Sequence, residues 1–320
     1  MKKLLLSSLF ILTMGFFTTE SFAQQGAYVN VYGSYGLAGS SVNNFQNTIV
    51  VGSGANAEIT DFLPWLDYEE NTTYDADFNA ITQSTSNLVS LNLGKGLNFG
   101  ASFGYMFNDY LGAELGLNYL ISGKTSNLYK STDSFDPNEP IVISYGGEIS
   151  ASQFRINPMI VVSTDFMDFV PYAKFGVMVG IGTKITETYT DNIIPDVTVV
   201  QKFESDGGIS LGVNAVFGAL YKLNKKTGIF LELSSTSMSY SPKTRTITEY
   251  MTTEVSGTST SVVNELSDEA FPYSARVTEY VDEITEYSSS QVDPTLSTLA
   301  MKIKYPFSTF GFNLGIRFSF

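Results

Sequence analysis

The chain has 320 residues, a net charge of −14 and a mean hydropathy of +0.05, and it contains neither cysteine nor histidine. Disulfides, thiolate metal sites, and acyl-transfer or metal chemistry built on imidazole are therefore excluded. No apolar run beyond the N-terminus approaches the roughly 20 residues of a membrane helix, and the acidic balance disfavours nucleic acid, which needs a basic stripe.

Residues 1–23 read as a secretory signal peptide, with Lys2 and Lys3 as the charged region, Leu4 to Phe17 as the apolar region, and Ser21-Phe22-Ala23 as a small-x-small cleavage site. No cysteine follows, which excludes an N-acylated lipoprotein start. Ala27 to Leu37 is the first expected strand. Leu97 to Phe107 alternates strictly, with Leu97, Phe99, Phe103 and Tyr105 on one parity and Asn98, Gly100, Ser102 and Gly104 on the other. Asn108-Asp109 signals a tight turn, and Tyr110 to Ile121 runs back with the same alternation.

Gln153 to Thr164 and Val170 to Lys184 follow as strands four and five, joined across a short turn at 165–168. Ile209 to Tyr221 and Ile229 to Tyr240 form the next pair around the turn at 224–228. The last segment, Thr309 to Phe320, puts Phe310, Phe312, Leu314, Ile316, Phe318 and Phe320 on one face. Gly311, Asn313, Gly315, Arg317 and Ser319 occupy the other. A strand alternates its side chains between faces, and spans of about 9–11 residues with one aromatic, apolar face fit a transmembrane barrel.

The connections alternate between long and short, with long ones at about 38–90, 122–152, 185–207 and 241–298. Acids concentrate there: seven acids and no base fall between Ala38 and Ser90, and ten acids against two bases between Arg245 and Thr298. Within these stretches Lys184-Ile-Thr-Glu-Thr-Tyr, Arg245-Thr-Ile-Thr-Glu-Tyr, Arg276-Val-Thr-Glu-Tyr and Ile284-Thr-Glu-Tyr are related. Their Thr, Ile, Val and Tyr content favours strands that continue as paired ribbons beyond the membrane. The likeness reads either as a functional repeat or as simple β-compatible low complexity.

The strand rhythm, the Val170-Pro171-Tyr172 entry to strand five and the closing F-N-L-G-I-R-F-S-F resemble the small outer-membrane β-barrel family of OmpA/OmpW-type domains. The resemblance covers the barrel strands. It implies that the aromatic end, with Phe312, Leu314, Phe318 and Phe320, is the signal read by the barrel-assembly machinery.

On the inward parity, Glu114, Lys174, Glu232 and Arg317 fall at similar distances from the short turns. Glu114–Lys174 and Glu232–Arg317 are the expected pairs, with Arg155 and Lys222 adding to the layer. Two readings follow: a packed polar plug, since eight strands leave an interior that side chains just fill, or an ion path gated by the pairs. Trp65, the only tryptophan, lies in the first long loop and could anchor a partner, pack on other loops or touch the outer leaflet. Asp75-Ala-Asp77-Phe-Asn79 opens like a calcium loop, but Ala80 and Ser86 stand where glycine and glutamate are needed.

The resulting expectation is an all-β protein: a closed, antiparallel, eight-stranded transmembrane β-barrel over 24–320, with short periplasmic turns and long extracellular loops. A ten-stranded count, made by promoting segments of the last long loop to spans, is the structural rival. The expected role is a non-enzymatic outer-membrane scaffold presenting acidic loops for structure or binding. The alternative is a small diffusion channel, which glycine-rich inward faces would leave open. No cofactor and no metal are expected. The expected partners are outer-membrane lipid, the assembly machinery and an unidentified extracellular ligand, and the barrel is expected to be a monomer.

Overall fold

The structure, a computed structural model, describes residues 26–41, 48–51, 58–61, 66–75, 77–134, 136, 140–164, 168–192, 196–256, 258–264, 266, 272–284 and 295–320. The signal segment 1–23 and Trp65 lie outside the described residues. In chain order the strands begin with β1 (Gly26–Ala38), β2 (Thr48–Val51), β3 (Glu58–Asp61), β4 (Leu66–Tyr74) and β5 (Ala80–Leu88). They continue with β6 (Gly96–Met106), β7 (Leu111–Ser122), β8 (Thr125–Asp133), β9 (Ile141–Ser163) and β10 (Phe169–Asn192). Next come β11 (Val197–Asp206), β12 (Ser210–Lys222), β13 (Thr227–Tyr240), β14 (Thr244–Ser256) and β15 (Ser259–Asn264). A single-turn helix α1 (Tyr273–Arg276) precedes β16 (Val277–Val281), β17 (Thr298–Met301), β18 (Tyr305–Pro306) and β19 (Thr309–Ser319).

Eight of these strands pair in a ring. β1 pairs with β6, β6 with β7, β7 with β9, β9 with β10 and β10 with β12. From there β12 pairs with β13, β13 with β19, and β19 returns to β1 from Tyr28↔Ser319 to Ala38↔Thr309. All of these pairings are antiparallel. The segments of the last long loop considered as extra spans pair outside this ring.

The ring is apolar outside and polar inside. On β7, Leu111, Leu115 and Leu117 are exposed while Glu114 and Asn118 are buried. On β19, Leu314 is 61% exposed while Asn313 and Arg317 are 8% and 7% exposed. Phe312, Phe318 and Phe320 also face outward. A soluble sheet would bury the leucines and phenylalanines and expose the charges. Here the arrangement is reversed, as a lipid-facing wall requires.

At one end of the ring the connections are short and locally specified. The Asn108 side-chain oxygen accepts from the Tyr110 and Leu111 amides at 2.9 and 2.8 Å, and Asn224 does the same for Lys226 and Thr227 at 2.8 and 2.9 Å. Such Asx turns replace backbone partners that the chain reversal removes.

At the other end the wall grows into a sheet. β9 and β10 run for 23 and 24 residues, well beyond the ~9–11 of one membrane span. The outer half of β10 pairs with β11, β11 with β14, and β14 with both β15 and β16. On the other flank β8 pairs with β9, and β4 lies parallel to β8 and antiparallel to β5. The related segments meet here, because Arg245 and Thr246 in β14 pair with Thr278 and Val277 in β16.

β10 contains a bulge where this sheet leaves the wall. Its register against β9 shifts between Ile181 and Lys184, and Gly182 adopts φ +57. Before it Tyr172, Lys174 and Met178 are buried; after it Thr183, Ile185 and Glu187 are. One inserted residue exchanges the two faces of a strand.

Candidate functional site

The ring interior is built around Lys174. Its ammonium lies 2.9 Å from Glu114 Oε1 and 2.7 Å from Glu232 Oε1, and all three side chains are buried. The remaining carboxylate oxygens are also satisfied. Glu114 Oε2 accepts from the Tyr28 hydroxyl at 2.8 Å and from Asn30 Nδ2 at 3.2 Å. Glu232 accepts from the Tyr172 hydroxyl at 2.7 Å and from Asn313 Nδ2 at 2.8 Å. Burying charges is costly unless they are paired and their other valences filled, and both conditions are met here.

The inward glycines explain how tyrosines reach this point. A Cβ at Gly104 would collide with the Tyr28 ring, and one at Gly100 with the Tyr32 ring. The glycine faces that the sequence presents as open space are filled by aromatic rings from the neighbouring strand. Below the charges, Tyr28 packs in a cluster with Met106 and Val161, and Tyr172 with Val170, Leu220 and Phe230.

The expected Glu232–Arg317 pair is replaced. Arg317 donates from Nε to Asn30 Oδ1 at 2.9 Å and lies over the Tyr28 ring, 4.0 Å from its centroid. Lys174, on the strand between the two acids, takes both carboxylates and leaves Arg317 to the aromatic face. Arg155 is buried a layer further along β9 and donates from Nε to Gln153 Oε1 at 2.8 Å. Lys222 ends β12 half-exposed and is not part of the cluster, because the strand runs out at the turn before its side chain can reach the interior.

Above the charge layer the interior is closed by apolar residues absent from the sequence-based expectation. Leu91 and Leu93, before β6, and Tyr305 and Phe307, around β18, are fully buried. They pack against Leu120, Met178 and Met238, which point inward from β7, β10 and β13. The two segments are tied together: Leu93 N–H donates to the Pro306 carbonyl at 2.9 Å, and Asn92 Nδ2 to the Ser308 carbonyl at 2.8 Å. Between this plug and the Lys174 centre remains a cavity of ≈ 50 Å³, lined among others by Asn118, Arg155, Asn157, Lys174, Asn214 and Glu232.

Outside the plug lies a second buried ion pair. Arg245 Nη2 is 2.5 Å from Glu187 Oε2, and Glu187 also accepts from the Tyr305 hydroxyl at 2.9 Å and the Tyr189 hydroxyl at 3.3 Å. The guanidinium stacks on Phe203 at 3.7 Å. Burial is the strongest single influence and works against the Arg245 charge, but Glu187 together with Tyr189, Tyr280 and Tyr305 outweighs it and holds the group above its usual value. Burial pushes Tyr145 and Tyr280 up to about 12, and Tyr189 and Tyr305 well above the ordinary phenol range. The surrounding phenols therefore stay neutral donors.

The calcium-like opening serves its own turn. Asp75 Oδ1 accepts from the Asp77 and Asn79 amides at 2.9 Å each, and the Asn79 side chain heads the bonds that hold its carboxyl below the usual range.

The chain matches the family described as outer membrane protein beta-barrel domain over residues 9–256. No curated protein sequence matches it significantly. Solved structures similar to it include the outer membrane protein OprG from Pseudomonas aeruginosa, 10% identical, covering 93% of this chain and 98% of that one with a TM-score of 0.34. Another is the CymD monoaromatic hydrocarbon channel, 8% identical, covering 93% of this chain and 89% of that one with a TM-score of 0.18. Likenesses this distant carry no argument about function.

Proposed function

This chain belongs to the outer membrane protein beta-barrel domain family, and from that premise we propose that it is a non-enzymatic, non-conducting eight-stranded barrel whose working surface is its outer sheet. The observation that carries this reading is the filled interior. Lys174 with its two glutamates, the tyrosines laid over the inward glycines, and the Leu91–Leu93–Tyr305–Phe307 plug occupy it, and the cavity between plug and charges measures ≈ 50 Å³. Such a volume holds a few waters and is no diffusion path.

In this reading the short turns face the periplasm and the strand-built sheet faces outward. Residues 1–23 are removed on export, the aromatic end is presented to the assembly machinery, and the barrel works as a monomer in outer-membrane lipid. The acids exposed on the outer sheet, Glu254 and Glu279 among them, would meet a cationic ligand or partner surface.

Conductance of the refolded protein in a planar bilayer tests the proposal. Wild type is expected to be silent, as are the Arg317→Ala and Glu232→Ala variants, because the apolar plug does not depend on them. Discrete conductance steps in wild type would establish a pore instead.

A further inference from the structure

The inward charges of the ring do not balance. Lys174, Arg317 and Arg155 face Glu114 and Glu232, so the interior carries one cation more than it has acids among the described residues. Arg317 Nη2 also lacks a partner, but Arg317 and Lys174 together match the two carboxylates of the Lys174 centre, so the surplus falls on Arg155. It is 3% exposed, its one side-chain hydrogen bond among the described residues goes to the neutral Gln153 amide, and its Nη2 has no partner. Gln153 is itself held by Thr183 and Ser210 at 2.8 Å each, which locks the guanidinium in place.

The nearest acid layer cannot serve it. Glu114 is in register with Met159 on β9, four residues from Arg155, or roughly 13 Å along a strand. Both glutamates also line the cavity, but Lys174 and four neutral donors already hold them. A buried cation with no counter-charge is among the most costly features a fold can carry.

The other cavity walls show the same surplus of donors. Asn157 Nδ2 and Asn214 Nδ2 both turn to the Met159 sulfur, at 3.2 and 3.8 Å. A thioether is a weak acceptor, so two amide donors converge where an oxygen or an anion belongs. Asn157 Oδ1 is buried with no partner. A half-turn of that amide exchanges its donor and acceptor, so the side chain can present its N–H to the cavity it lines and leave the sulfur to Asn214. The ≈ 50 Å³ volume is several times the ~10–15 Å³ a single water needs.

We propose that this cavity binds one small monovalent anion, a chloride or a carboxylate of formate size, held by Arg155 with the amides of Asn157 and Asn214. The anion supplies the missing charge and completes the interior without opening it. It acts as a structural ligand and is distinct from the Lys174 centre, whose carboxylates are internal.

The test uses the refolded full barrel crystallised in bromide in place of chloride. An anomalous peak is expected within hydrogen-bond distance of Arg155 Nη2, and its loss is expected in Arg155→Gln. Formate added in excess displaces the bromide if the site takes carboxylates and leaves it if the site is halide-selective; either result fits the proposal. Asn157→Asp provides a second route that survives a folding failure of Arg155→Gln. Its carboxylate pairs with Arg155 from within, so the bromide peak is lost. Wild type is expected to unfold at a lower temperature in gluconate than in chloride at equal ionic strength, whereas Asn157→Asp is expected to be insensitive to the exchange. Ordered water alone at Arg155 in bromide, or a bromide peak that persists in Asn157→Asp, would overturn the proposal.

Discussion

The two buried ion centres on the ring axis follow opposite plans. At the Lys174 centre one cation bridges two carboxylates, and each carboxylate also takes a tyrosine and an asparagine. At the Arg245 centre one carboxylate takes one guanidinium and two tyrosines, and the guanidinium rests on a phenylalanine ring. The first is assembled from five wall strands, β1, β7, β10, β13 and β19. The second joins the outer half of β10 to β14 and to the segment around β18. The difference shows two ways to bury a charge: the inner centre divides one cation between two carboxylates and fills their other valences with neutral donors, while the outer one holds a single pair and covers the cation with an aromatic face.

Breaking the inner centre should cost most. Lys174→Met leaves two buried carboxylates without their cation, and we expect a loss of about 3–5 kcal/mol in the urea unfolding of the refolded protein. Adding Glu114→Gln should recover part of it. Arg245→Met strips Glu187 of its cation but leaves two phenol donors, so a smaller loss of about 2–3 kcal/mol is expected by the same measurement. Equal losses for the two variants would mean that the outer pair is compensated as strictly as the inner one.

Gly182→Ala sharpens the comparison at the point where the two regions meet. A Cβ there meets nothing within 4 Å, so the penalty is that of the left-handed backbone alone, about 1–2 kcal/mol. Native-state hydrogen exchange should show faster opening of the outer half of β10 with the Lys174 region unchanged. Uniform acceleration along the strand would contradict a bulge that separates two cooperative regions.

The smallest effect concerns pH. Tyr145 and Tyr280 titrate near 12 in the folded protein against an ordinary value near 10, chiefly because they are buried. Above pH ~10 the unfolded chain therefore binds fewer protons than the folded one, and stability falls as pH rises towards ~12. Below pH ~10 these groups contribute no slope. Tyr280→Phe should flatten the decline, and an unchanged slope would place the titration elsewhere.

Part of this architecture is written locally in the chain. Strict alternation from Leu97 to Phe107 and from Phe310 to Phe320 is enough to assign the wall and its two faces, because a strand has a period of two. The same parity puts Glu114, Lys174, Glu232 and Arg317 indoors. Their partners are not local: whether Lys174 or Arg317 takes Glu232 depends on how the strands stagger and on which rings fill the space. The inward glycines look empty in the sequence because the rings over Gly100 and Gly104 come from β1. The Leu91–Leu93 and Tyr305–Phe307 plug has no period, and Glu187 reads as loop because the Gly182 bulge reverses parity before it. Alternation and composition, which act between neighbours along the chain, determined the kind of wall and the sign of its faces. Charge pairing, the plug and the donor-rich cavity were decided by the tertiary structure, because each depends on residues brought together across the ring.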